Sequence, residues 1–152
     1  MVTVSDRSAA GARADTSGPM LVELLRSLGF RTDDPVVVPD DLDAIETALR
    51  AAISSGADLV ATTGGTGLGP RDVTPEATAR VLDRSVPGIA EALRQFNREQ
   101  IPTTLLSRAV AGVAGSSLIV NLPGSTGGVR DGVAVLSPVV GHAIAQLRGG
   151  DH

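Results

Sequence analysis

The chain contains no cysteine, tryptophan, tyrosine or lysine, and these absences remove several kinds of chemistry at the outset. Without cysteine there is no disulfide framework and no thiolate nucleophile. Without lysine, Schiff-base catalysis and the lysine-dependent phosphate loop are excluded, and every cationic side chain is an arginine. Only His142 and His152 are present, so a His/Cys zinc site cannot be built. A Ser-His-Asp triad would have to use His142, which lies in an amphipathic stretch near the C-terminus and reads as structural. No apolar run reaches the length of a membrane span, and no basic segment leads into a hydrophobic one at the N-terminus. A net charge of −4 argues against nucleic acid or an anionic membrane as partner. The expectation is a cytoplasmic protein working through carboxylates, hydroxyls, arginines, backbone amides and a metal held by oxygen.

With 152 residues the chain fits one domain with a substantial core. Val2-Thr3-Val4 reads as a strand, expected to be short so near Met1, followed by a polar loop from Ser5 to Thr16. A helix starts at Ser17 with Pro19 in its first turn, and Met20, Leu21, Leu24, Leu25 and Leu28 form its apolar stripe. Val36-Val37-Val38 reads as a buried strand. Asp40 or Asp41 caps the next helix, in which Leu42, Ile45, Leu49 and Ile53 repeat at helical spacing. A third strand, Asp58 to Thr62, runs into a glycine-rich loop, with short helices expected from Thr74 and Pro87. Apolar runs on both sides of Ala114-Gly115-Ser116 suggest a hairpin, and two more helices, about 129–136 and 138–147, finish the chain. Strands alternating with helices predict an α/β three-layer sandwich, with a mostly parallel central sheet plus the hairpin. Ligands of such folds gather beyond the carboxyl ends of the strands.

The segment from Thr62 to Glu76 carries the most chemical information. Its glycines, Gly64-Gly65-Thr66-Gly67, directly follow a buried strand, where they permit a sharp turn and a close approach of backbone amides to a ligand. Successive N–H groups and a helix N-terminus favour an anion such as phosphate. Asp72 precedes that helix at the same mouth. A bland reading fits the same residues: the glycines only turn the chain, and Asp72 only complements the helix dipole. Asp40 is likewise either a helix cap or a functional carboxylate.

Taken together, the segment Thr62 to Glu76, Val4-Ser5-Asp6-Arg7, Pro39-Asp40, Val86-Pro87-Gly88, Leu106-Ser107-Arg108 and Ile119 to Ser125 resemble, in order, the MogA/MoaB family of molybdenum cofactor biosynthesis proteins. The likeness covers nearly the whole chain. It implies a molybdopterin-binding fold and, as activity, molybdopterin adenylyltransfer: AMP passes from ATP to the molybdopterin phosphate with release of pyrophosphate. It implies Asp40 and Asp72 as the catalytic aspartates, holding Mg²⁺ with ATP or orienting the attacking phosphate. An oxygen-bound Mg²⁺ suits a site without His or Cys ligands.

The substrate-binding residues it implies are Ser5, Asp6 and Arg7 after the first strand, and Thr63, Gly64, Gly65, Thr66 and Gly67 in the glycine loop. Ser107 and Arg108 join them, although they could equally cap and solvate a helix end. Asn121, Pro123, Gly124 and Ser125 complete the set from a tight turn after the last strand. The resemblance further implies a homotrimer and a molybdenum insertase as a partner for the product. The family also contains MoaB-like proteins that keep the pterin pocket and serve binding or assembly, and the two readings share their motifs.

Overall fold

The computed structural model describes residues 1–150. Six strands form one sheet in the order β2-β1-β3-β6-β5-β4: β1 (Val2–Val4), β2 (Val36–Val38), β3 (Leu59–Thr63), β4 (Arg84–Ser85), β5 (Ala111–Ala114) and β6 (Ser117–Leu122). β2, β1, β3 and β6 are mutually parallel; at the other edge the hairpin strand β5 pairs antiparallel with β6, and the two-residue β4 pairs antiparallel with β5. The helices are α1 (Asp6–Ala9), α2 (Ser17–Ser27), α3 (Leu42–Ser54), α4 (Thr74–Ala79), α5 (Pro87–Gln95), α6 (Thr126–Leu136) and α7 (Val140–Leu147), with a 3₁₀ turn at Pro102–Leu106.

The period-2 alternation of the strands divides the core between the two faces of the sheet. Ile119 and Val60 point toward Ile45 and Leu49 of α3 and Ala77 of α4. Leu118, Val120 and Leu122 point the other way, onto Leu21 and Leu25 of α2 and Val129 and Val133 of α6. Leu21, Ile45, Leu49, Ile119 and Leu122 have no exposed surface. Burial of each is worth roughly 1.5–3 kcal/mol, so two such layers hold the central strands firmly under the loops that follow them. No helix among the described residues is long and apolar enough to cross a membrane.

Three expectations are corrected here. β2 is an edge strand, not a buried one: Val36 is 54% exposed and Val37 37%. The prolines on either side, Pro35 and Pro39, suit an edge, where a missing N–H costs no ladder bond. The polar stretch after β1 contains the short helix α1, which Ser5 caps by accepting from the Ser8 N–H at 3.2 Å. His142 is exposed on α7, where its ring lies 3.0 Å from the Gln146 amide, so it does not face the core.

Candidate functional site

The parallel register determines which loops meet. Val4 lies beside Val38, Thr3 beside Thr63, and Thr63 beside Leu122. The segments that begin at Ser5, Pro39, Gly64 and Pro123 therefore emerge side by side along one sheet edge. The glycine loop can approach its neighbours only because it lacks side chains there. Gly64 has φ +94°, and a Cβ on it would fall 2.2 Å from the Val4 carbonyl oxygen. A Cβ on Gly124 would fall 3.1 Å from the Gly64 Cα, so the turn after β6 rests directly on this loop.

Asp40 and Asp72 come to the same mouth. Asp41, not Asp40, caps α3 by accepting from the Ala44 N–H at 2.9 Å, and this leaves Asp40 free for other work. The Asp40 Oδ2 atom accepts from the Asp6 N–H at 2.8 Å, while the Asp40 N–H donates to Asp6 Oδ1 at 2.9 Å. This reciprocal pair locks the ends of β1 and β2 together. Asp40 Oδ1 faces the glycine loop, 3.2 Å from the Cβ position of Gly65. Asp72 Oδ2 accepts from the Gly69 N–H at 2.8 Å and lies 3.0 Å from the Cβ position of Gly67.

Arg71 reaches across the mouth to Asp6, with Nη2 at 2.9 Å from Oδ1 and 2.8 Å from Oδ2. Burial raises the Asp40 carboxyl above its ordinary value, and the negative charges of Asp6 and Asp72 push the same way, against the Asp6 N–H and Arg71. Asp6 is held below its ordinary value by the Asp40 N–H first and the Arg71 hydrogen bond second.

Among the described residues no three His, Cys, Asp or Glu side chains form a preassembled metal cage. Two carboxylates facing a glycine loop do fit Mg²⁺, which usually takes one or two protein carboxylates and fills its shell with water and substrate phosphate. Asp40 Oδ1 and Asp72 Oδ1 are not engaged in hydrogen bonds among the described residues, so each can supply a ligand oxygen.

Several expected substrate contacts have other work in the fold. The Arg108 Nε donates to the Gly67 carbonyl at 2.7 Å, Nη2 donates to the Asp72 carbonyl, and Nη1 pairs with Glu76. Its main-chain N–H donates to the Thr66 carbonyl at 2.9 Å. Arg108 thus pins the glycine loop from behind, and Glu76 is held below its ordinary pKa by that contact. Asn121 has no exposed surface, and its amide is fully committed: Nδ2 donates to Thr62 and Thr78 hydroxyls at 3.1 and 2.9 Å, and Oδ1 accepts from the Val110 N–H at 3.2 Å. It ties β6 to β3 and α4 beneath the mouth. Thr63 is also buried, 3.0 Å from the Ser17 hydroxyl, and Thr66 is 6% exposed.

Ser107 is half-buried, and its hydroxyl accepts from the Ala109 N–H at 3.3 Å. Ser125 caps α6 by accepting from the Gly128 N–H at 3.0 Å. Ser5, Asp6, Gly65, Gly67, Pro123, Gly124 and Ser125 line the accessible mouth, and Arg7 is exposed on α1.

Asp15 was missed by the sequence reading. Its Oδ1 accepts from the Gly18 N–H at 2.9 Å and the Ser17 hydroxyl at 3.2 Å, whereas Oδ2 is buried without a hydrogen-bond partner. With Thr3, Ser5, Ser8, Ser17 and Gly124 it lines a cavity of about 190 Å³ that opens beside the mouth. The usable signal was Gly18 in the first turn of α2: a Cβ there would fall 2.2 Å from Asp15 Oδ2 and 2.4 Å from the Thr3 hydroxyl.

Comparison with known proteins gives this geometry a family. Residues 1–142 match the family described as "Probable molybdopterin binding domain". The chain is 43% identical over 152 residues to a "Molybdenum cofactor biosynthesis bifunctional protein" of Synechococcus elongatus, covering all of this chain and 48% of that one. It is 36% identical over 155 residues to a "Molybdopterin adenylyltransferase" of Helicobacter pylori strain J99, covering 98% of this chain and 86% of that one. A crystal structure of a molybdopterin biosynthesis protein from Mycobacterium abscessus superposes with a TM-score of 0.92 at 49% identity, covering 97% and 94% of the two chains. The chain spans about half the length of the two bifunctional relatives it matches. On these grounds the chain belongs to the MogA/MoaB family of molybdenum cofactor biosynthesis proteins.

Proposed function

We propose that this chain binds molybdopterin at the described mouth and adenylylates it. In this reaction a terminal phosphate oxygen of molybdopterin attacks the α-phosphorus of ATP. The bond between the α-phosphorus and its bridging oxygen to the β-phosphate breaks, and pyrophosphate leaves with the bonding pair. Catalysis of this type rests on alignment and on neutralising charge. Mg²⁺, when bound, would supply charge neutralisation for the triphosphate. Asp40 and Asp72 would hold it, the glycine loop would offer backbone N–H groups to phosphate oxygens, and the cavity beside Asp15 would take part of the pterin substrate. Asp15 Oδ2 suits a ligand N–H donor there, since a buried carboxylate oxygen without a partner is costly.

The observation that carries this reading is the meeting of Asp40 and Asp72 over one glycine loop. Its test is incubation with molybdopterin, ATP and Mg²⁺, with adenylylated molybdopterin as the readout. Product should form, and should disappear in Asp72→Asn while the fold is retained.

The second reading is a protein that binds or hands on molybdopterin without transfer. The family description supports it more directly, because it names binding and no reaction. Stoichiometric molybdopterin binding with no adenylylated product would select it. The homotrimer, the insertase partner and the cytoplasmic setting are proposals at the same level, and a monomer in sedimentation would refute the first.

A further inference from the structure

The proposed reaction leaves one prominent residue of the mouth without a role. Arg71 stands next to Asp72 in the chain, yet its guanidinium crosses the mouth to Asp6 on α1, contacting both carboxylate oxygens at 2.8–2.9 Å. Asp6 in turn accepts from the Asp40 N–H and donates its own N–H to Asp40. The two acidic residues assigned to the cation are therefore linked in a single line: Asp72, its chain neighbour Arg71, Asp6, then Asp40.

We propose that Arg71 is an exchangeable positioning residue, latched on Asp6 while the mouth holds no divalent cation and transferred to the phosphate chain of the nucleotide when a cation takes the carboxylates. This rests on the reading of the mouth as a cation–nucleotide site and adds a named role within it.

Three features support the exchange. The Arg71 side chain is 67% exposed and that of Asp6 42% exposed, and solvent-exposed pairs of this kind hold weakly, so the latch opens at small cost. The guanidinium forms no other hydrogen bond among the described residues, so nothing else anchors it to Asp6. A guanidinium also binds phosphate with the same fork of donors that it offers a carboxylate, so the partner can change without a change of chemistry. While latched, Arg71 supplies positive charge to a rim of three carboxylates; once a divalent cation supplies it, the like charges favour its departure toward phosphate.

The test measures Mn²⁺ binding by electron paramagnetic resonance and ATP binding by calorimetry in the full chain, and neither requires turnover. Arg71→Ala should bind Mn²⁺ alone about threefold more tightly, because a competing cation is gone. The same variant should bind ATP with Mn²⁺ about tenfold more weakly, because a charge-assisted phosphate contact is lost. Opposite signs in one variant are not expected of a residue that only stabilises the loop. Asp6→Asn separates latch from contact: it loosens the hold on Arg71 and keeps an Oδ1 acceptor for the Asp40 N–H, so its loss of ATP affinity should be smaller than that of Arg71→Ala. Equal losses of ATP affinity in Arg71→Ala and Asp6→Asn, or both affinities in Arg71→Ala moving together or not at all, would overturn the proposal. Wild-type protein that binds Mn²⁺ and ATP in this Arg71-dependent way but makes no product would defeat the catalytic reading alone.

Discussion

Replacing Arg108 by alanine would release the glycine loop from behind, and the size of the effect can be worked from its contacts. Two backbone carbonyls, those of Gly67 and Asp72, lose a charged donor, and Glu76 loses its partner. The side chain is 34% exposed, so water refills part of the gap, and each carbonyl contact is worth about 1 kcal/mol instead of the larger value of a sealed site. The Glu76 pair adds roughly 0.5 kcal/mol at most. The sum is about 2–2.5 kcal/mol, or a fall in Tm of roughly 5–10 °C for a domain of this size.

Ligand binding should suffer more than stability suggests, since Gly67 to Asp72 carries part of the loop proposed to meet phosphate and one of the two proposed cation-holding aspartates. A displacement of about 1 Å there can cost on the order of a hundredfold in rate. Thermal melting, hydrogen exchange at the amides of 67–72, and ATP affinity with Mn²⁺ should be measured on the same protein. Arg108→Lys keeps the charge near Glu76 but cannot span both carbonyls, so it should recover only part of the loss. A wild-type Tm and wild-type loop exchange in Arg108→Ala, together with lost ligand affinity, would refute the reasoning and return Arg108 to direct substrate contact.

Three further outcomes follow from the same geometry. Gly64→Ala puts a Cβ 2.2 Å from the Val4 carbonyl at φ +94°, and chemical denaturation should report a loss of roughly 3–4 kcal/mol. Because the Asp40 carboxyl is raised by burial, divalent-cation binding should weaken on acidification from a pH above the ordinary carboxylate value, and titration of Mn²⁺ affinity against pH checks this. The stability sign is the reverse for that group: with a raised folded pKa, its contribution is present at low pH and lost as pH rises through that value, whereas Asp6, with a lowered one, contributes at higher pH and loses its share on acidification. Asp15→Asn keeps an acceptor for the Gly18 N–H and replaces the unpartnered buried oxygen, so the free protein should be unchanged or more stable in a thermal melt while molybdopterin affinity, followed by fluorescence, falls.

Much of the architecture is legible because it is written in periodic apolar residues. Leu42, Ile45 and Leu49 define α3, and the apolar run of β3 followed by two glycines marks the mouth in the sequence itself. Val36-Val37-Val38 misled because three valines look alike in a central strand and at an edge; only the flanking prolines distinguished them. Helix α1 has no buried residue and so no apolar period to detect, and β4 is two residues long. At the site, the residue types were readable but the partners were not. Asp40 and Asp41 are equal as caps in sequence, and the choice is made by which side chain meets the Ala44 N–H and which meets Asp6. Arg108 and Asn121 occupy conspicuous motifs, yet apart from the Val110 contact their side-chain hydrogen bonds join segments 32 to 59 residues apart, and no local spacing reveals such closures.

The most direct measurement is the position of Mn²⁺ in crystals grown with ATP, located by its anomalous scattering. The account predicts one peak bridging the carboxylates of Asp40 and Asp72, with the triphosphate along the glycine loop and no peak in Asp72→Asn crystals grown the same way. A Mn²⁺–ATP complex seated away from these two residues, or one retained unchanged in Asp72→Asn, would contradict it.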